Sequence, residues 1–199
     1  MKTLLLTLFV FALLQAKTYT FDTDALGNPP KEWHCTQAQE QVWKITQGEK
    51  NSHLLTLVKT NAYGSHFNTC YVKSNFLDGE IEVKLKANSG RGDQGGGIIW
   101  RVQDANNYYI VRYNPLEDNF TFYRVKDSYR HELQNVNVSL PRAGWHRLKV
   151  IQKKSHYQIY LDGLLRLEGD DTTFANAGGV GVWSKADALS SFDNLVIRP

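Results

Sequence analysis

From residue 53 to the C-terminus the chain repeats an apolar–polar alternation of period two, and this constrains its fold more than any other feature. In "GEIEVKLKA" the alternation puts Ile81, Val83 and Leu85 on one side and Glu80, Glu82, Lys84 and Lys86 on the other. "GIIWRVQD" sets Ile98, Trp100 and Val102 against Ile99, Arg101 and Gln103. Neighbouring strand residues point to opposite faces, so such runs read as half-buried β-strands. Further runs are "HLLTLVK" (53–59), "HFNTCYVKS" (66–74), "NYYIVRYN" (107–114), "NFTFYRVKD" (119–127), "VNVSL" (136–140), "WHRLKVIQK" (145–153), "HYQIYLDG" (156–163), "VGVWS" (180–184) and "FDNLVI" (192–197). Turn sequences such as "DANN", "NPLEDN" and "PRAG" separate them. No long segment carries a 3.6-residue period. Strands at this spacing without intervening helices predict an all-β, two-sheet antiparallel sandwich in a single domain.

The first residues follow another logic. Lys2 precedes the apolar run "LLLTLFVFALL", and a small residue follows at Ala16. That is the pattern of a secretory signal over residues 1–16, leaving a domain of 17–199. The run is too short to span a bilayer, which needs about 20 residues. The expectation is a secreted or periplasmic protein with no membrane insertion. A formal charge of +3, without any Lys/Arg run beyond Lys153–Lys154, argues against a nucleic-acid partner. Export favours a disulfide between the two cysteines, Cys35 and Cys70. Free thiols are one alternative. A zinc site with His34 and His66 is another, although neither Cys-x-x-Cys nor His-x₃-His spacing occurs.

Several short motifs fail on their context. Gly90, Gly92 and Gly95 spell G-x-G-x-x-G, but a strand follows where dinucleotide binding needs a helix. The same loop contains Arg91-Gly92-Asp93, a tripeptide associated with adhesion. "HELQN" (131–135) lacks the second His of a zinc protease and lies among strands. No G-x-S-x-G elbow occurs. Glu80 and Glu82 are followed by Lys84, so the three carboxylates of a lichenase-type E-x-D-x-E strand are not present. Sequons stand at Asn119 and Asn137.

Taken in order, "GEIEVKLKA", "GGGIIWRVQDANNYYIVRYN", "GWHRLKV", "IYLDG", "GGVGVWSKA" and "FDNLVI" resemble the concanavalin A-like sandwiches. The nearest resemblance is to the 3-keto-disaccharide hydrolase domain family and its laminin-G-like, carbohydrate-binding relatives. It implies a jelly roll of two antiparallel sheets that binds sugars on its concave face or at rim loops. Arg101 matches the arginine that follows the family's glycine-rich strand. The chain has "GGGIIWR" where the hydrolases carry Asn-Ser-Gly, and it lacks their acidic "Y-E-x-Q" segment, which favours binding over catalysis. Related sandwiches hold calcium where the first and last strands meet. Asp22 and Asp193 match those positions, with calcium a candidate structural ion and no cofactor required.

Sugar sites combine aromatic rings, which cover C–H faces, with planar polar groups that take hydroxyl pairs. Arg101, Tyr109, Arg112, Tyr123, Arg124 and Trp183 are the candidate ligand residues. The expected function is non-catalytic glycan recognition. The alternatives are a hydrolase or lyase of glycosides such as 3-keto-disaccharides, and a laminin-G-like adhesion module using the loop 88–97.

Overall fold

The computed structural model describes residues 15–36, 42–60 and 67–199. Residues 1–14 of the expected leader and His66 of the zinc alternative lie outside the described residues. Among the described residues no helix is long and apolar enough to cross a membrane.

Fifteen strands are described: β1 (Lys17–Tyr19), β2 (Trp33–Cys35), β3 (Trp43–Gln47), β4 (His53–Leu57), β5 (Phe67–Phe76), β6 (Gly79–Ser89), β7 (Gly96–Asp104) and β8 (Asn107–Asn114). They continue as β9 (Asn119–Lys126), β10 (Tyr129–Asn137), β11 (Trp145–Lys153), β12 (His156–Leu161), β13 (Leu164–Asp170), β14 (Gly178–Lys185) and β15 (Leu189–Arg198). One antiparallel sheet runs β13-β12-β11-β6-β15-β4-β3, with β1 paired to β15; the other runs β10-β9-β8-β7-β14-β5-β2. The two-sheet jelly-roll sandwich expected from the sequence is therefore present.

The alternating residues meet between the sheets. Ile81, Val83, Leu85, Leu148 and Val150 of the first sheet face Trp100, Tyr109, Val111, Phe122 and Val182 of the second, all buried. Trp100 stacks on Phe122 at 5.4 Å between ring centroids, and its indole N–H donates to Gln152 Oε1 across the core at 3.0 Å. The hydrogen bond meets the one polar requirement of a buried tryptophan. Gly97 lets β7 and β8 close up, because a Cβ there would stand 1.7 Å from the Val111 carbonyl oxygen.

The cysteines are bridged, Cys35 to Cys70, in register on β2 and β5. The bridge removes the free-thiol and zinc alternatives, since both sulfurs are consumed. The segment 136–140 is not a separate strand: Val136 and Asn137 end β10, which starts at Tyr129.

Candidate functional site

The second sheet has an unusual outer face. Period two turns Tyr108, Ile110 and Arg112 of β8 away from the inter-sheet core, together with Tyr123 and Val125 of β9 and Trp183 of β14. An outer sheet face in contact with water normally carries polar side chains. Here Ile99, Tyr108, Ile110, Tyr123, Val125 and Trp183 form a second buried apolar cluster, with Phe67 and Tyr71 packed against it. Trp183 Nε1 donates to the Tyr108 hydroxyl at 3.3 Å, and Phe67 lies 5.3 Å from the Trp183 ring. Burial raises the Tyr108 phenol well above the usual tyrosine range. The guanidinium of Arg130, from β10, sits 4.4 Å from the Tyr123 ring centroid and 5.9 Å from that of Trp183. Both distances are within cation–π range.

A charged cluster borders this aromatic layer. Arg112 Nη2 donates to Asp93 Oδ1 at 2.6 Å and to Glu117 Oε2 at 3.2 Å. Asn114 Nδ2 adds a donor to Asp93 at 3.2 Å, and Lys185 Nζ stands 3.9 Å from its other oxygen. Burial raises the proton affinity of Asp93, while Arg112 and Lys185 pull it back. Next to Arg112 in register, the Thr121 hydroxyl is buried without a hydrogen-bond partner among the described residues.

The six candidate ligand residues divide into two groups. Arg112, Tyr123 and Trp183 share the outer face just described. Arg101, Tyr109 and Arg124 gather around the loop between β13 and β14. Tyr109 points into the core, where its hydroxyl donates to Asp171 Oδ1 at 2.5 Å and accepts from the Phe174 amide. Burial, with the bond to Asp171 second, pushes this phenol up to about 12. Arg124 Nη1 donates to the Thr173 hydroxyl at 3.0 Å and lies 3.5 Å from Asp171 Oδ2.

Arg101 departs most from its expected place. Alternation puts it beside Ile99 on the outer face, but it has φ 46° and the β7–β8 register shifts between Trp100 and Asp104. A bulge of this kind re-aims a side chain. Its guanidinium instead donates to the carbonyls of Leu77, Phe174 and Lys154 and to Asp78. Gly178 makes room, since a Cβ there would meet the Arg101 carbonyl carbon at 2.5 Å. Arg101 thus ties three loops together at the rim. A pocket of about 260 Å³ opens beside it, bordered by Asp78, Lys154 and Asp171.

Of the Arg91-Gly92-Asp93 tripeptide, Arg91 and Gly92 are exposed and Asp93 is buried. The amides of Arg91, Gly92 and Asp93 all converge on the Asp187 carboxylate at 2.7–3.2 Å, and Asp93 is buried against Arg112. The tripeptide's carboxylate is thus held inside the protein by Arg112.

Asp22 and Asp193 do come near one another: Asp193 is raised first by burial and also by the charge of Asp22, whereas the bond from the His53 amide holds Asp22 below its ordinary value. Asp22 Oδ1 accepts from the His53 amide, and both Asp193 oxygens accept from Asn194. No group of three or more His, Cys, Asp or Glu suited to a metal forms among the described residues.

Asp93 and Arg130 are site residues that sequence reasoning did not single out for this cluster. Asp93 was read as part of an adhesion tripeptide, and Arg130 lies in a segment without apolar alternation.

No protein-family model matches the chain, and no curated protein matches it in sequence. Solved structures do. The carbohydrate binding module CBM66 from Bacillus subtilis superposes with a TM-score of 0.64 at 18% identity, covering 82% of this chain and 93% of that one. The β-glucanase of Bacillus licheniformis gives 0.58 at 14% identity, covering 91% and 96%. A Bacteroides ovatus mixed linkage glucan GH16 protein, in complex with a product, gives 0.62 at 9% identity, covering 91% and 98%. At these identities the likeness is one of architecture, and the chain has the concanavalin A-like sandwich fold.

Proposed function

We propose that this chain is a secreted or periplasmic glycan-binding sandwich without catalytic activity, whose ligand meets the outer side of the second sheet at the partly exposed Glu117, Arg130 and Lys185, which border the buried Arg112, Tyr123 and Trp183. One observation carries the reading: aromatic side chains cover a sheet face turned away from the core, and a charged cluster borders them. Aromatic rings suit the C–H faces of sugars, and guanidinium–carboxylate groups suit paired hydroxyls. The architectural relatives support it, since their names include a carbohydrate binding module and a protein in complex with a glucan product.

A hydrolase or lyase of glycosides such as 3-keto-disaccharides is the second reading. It is favoured by Asp93 and Glu117, two carboxylates on one nitrogen of Arg112, one of them with raised proton affinity. Glycoside hydrolysis uses a carboxyl pair of that kind, one protonated and one ionised. The binding reading is preferred because Arg112 engages both carboxylates.

The test is affinity electrophoresis of mature protein (residues 17–199) through neutral and acidic polysaccharides, with Arg112→Lys beside wild type. Lysine keeps the charge and loses the planar fork, so at least about tenfold weaker retention is expected. Retention equal to wild type would sink the Arg112 site. Turnover of a 3-keto-glycoside that disappears in Asp93→Asn would decide for the enzyme.

A further inference from the structure

The outer face of the first sheet carries a different site. Trp145, at the start of β11, is 38% exposed and, among the described residues, is the only tryptophan of the exposed large apolar set. A groove of about 450 Å³ lies on one side of it and a groove of about 480 Å³ on the other; Trp145 and Lys84 border both. Lys86 pairs with Trp145 in register, and Lys84 pairs with Arg147. Period two on β6 holds both lysines outward, while Val83 and Leu85 enter the core.

The hydrogen-bonding groups of these grooves are unequally engaged. Asp162 accepts from His146 Nδ1 and from the Arg147 amide, both at 2.8 Å. Asp193 accepts twice from Asn194. Arg147 is paired with Glu82 at 3.2 Å. Glu49 borders the first groove from an exposed position. Among the described residues Lys86 and Lys84 have no hydrogen-bond or ion-pair partner although both are half-buried, and the charge of Lys84 acts on Asp193. The unused capacity is therefore mainly two ammonium groups beside an exposed indole. An ammonium is a donor without acceptor capacity.

We propose that the Trp145 surface is a second glycan subsite, for an extended polysaccharide bearing carboxylates, on the opposite side of the sandwich from Arg112. The sugar ring covers Trp145, and uronate carboxylates on the flanking units meet Lys84 and Lys86. A chain lying across Trp145 enters both grooves, which calls for a polymer and not a single sugar. The inference rests on the glycan-binding reading above, but it uses a separate set of residues.

The experiment uses mature protein with polygalacturonate and with its fully methyl-esterified form, which keeps the backbone and removes the charge. Acrylamide quenching of tryptophan fluorescence reports on Trp145, and Trp145→Ala identifies its share of the signal. Polygalacturonate should lower that quenching at least twofold in wild type and in Arg112→Lys alike. Lys86→Gln, which keeps the indole, should weaken the protection at least fivefold, as should methyl esterification. Protection that is absent in wild type, or unchanged by Lys86→Gln or by esterification, overturns the proposal. The two sites fail independently. If glycan retention depends on Arg112 while Trp145 stays fully quenchable, this subsite is refuted and the other stands. If Trp145 is protected and Arg112→Lys retains glycan like wild type, the reverse holds.

Discussion

Removing Arg112 should expose the energetics of its cluster. Arg112 and Asp93 have side-chain exposures of only 3% and 5%, so their pairing is shielded from water and salt. By contrast, Arg124 and Asp171 are 36% and 12% exposed, and a pair of that kind contributes about 1 kcal/mol or less. Arg112→Met keeps the stem and deletes the charge. Asp93 is then left with the Asn114 side-chain amide, the Gln94 backbone amide and Lys185 at 3.9 Å. Stranding one member of a buried pair costs about 3–5 kcal/mol. Because Lys185 remains, the lower end is expected at neutral pH. Adding Asp93→Asn should recover at least half, since the stranded charge is gone. The pH dependence has a definite sign. Burial already raises Asp93 above its ordinary value in the folded state, and Arg112 is the strongest charge opposing that rise. Without Arg112 the folded protein binds this proton still more tightly than the unfolded chain does. The gap between the variant and wild type must then narrow as pH falls from neutral toward the ordinary carboxylate range. Urea unfolding of wild type, single and double variants at about pH 7 and pH 5, with unchanged m, measures all of this. A cost under about 1 kcal/mol at neutral pH, or a gap that widens on acidification, would refute the reasoning.

Other perturbations test separate parts of the structure. Gly97→Ala drives a methyl group into the Val111 carbonyl of the adjoining strand, and should cost about 3 kcal/mol or more, read as a fall in melting temperature or loss of soluble protein. Replacing Cys35 and Cys70 together by Ser opens a loop of 35 residues, with an expected loss of about 4 kcal/mol in chemical denaturation. The amides of Gly92 and Arg91 hold Asp187 below its ordinary value, so this cradle persists above the unfolded carboxylate range and is lost as pH falls through the lowered folded value. The NMR amide signals of Arg91, Gly92 and Asp93 should therefore move together only in acid, and Asp187→Ala should abolish that step. A calcium ion at Asp22 and Asp193 predicts a melting temperature that rises with added calcium, falls with EDTA, and responds to neither in Asp193→Asn.

The paired strands in the middle of each sheet were legible because burial on one face enforces alternation. Edge strands lack that enforcement. β10 and β13 have mostly exposed or half-buried residues, so Tyr129–Gln134 and Leu164–Asp170 gave no periodic signal. Tyr109 and Arg112 are three positions apart on one strand, and parity alone places them on opposite faces, as found. Arg101 was beyond parity. A residue at φ 46° in a bulge exchanges faces with its neighbour, so Val102 joins Ile99 in the outer cluster while Arg101 turns to the rim. The charged cluster was hidden for another reason: Asp93, Glu117 and Lys185 come from a loop, a turn and a strand end, and only the fold brings them to Arg112.

The pairing of β1 with β15 has a mechanical consequence. Lys17 lies opposite Ile197 and Tyr19 opposite Leu195, so the outer ends of the first and last strands leave the sheet at the same point. Tension applied through both ends would load these three residue pairs one after another, as in opening a zip, and not all at once in shear. β1 should therefore detach at low force, taking Tyr19 away from Trp33, whose rings are 5.2 Å apart. Peeling along the chain would then reach Cys35, which the covalent link to Cys70 anchors in the other sheet. A protein tethered at one end while a polymer pulls on its faces would thus yield at β1 and hold at the disulfide.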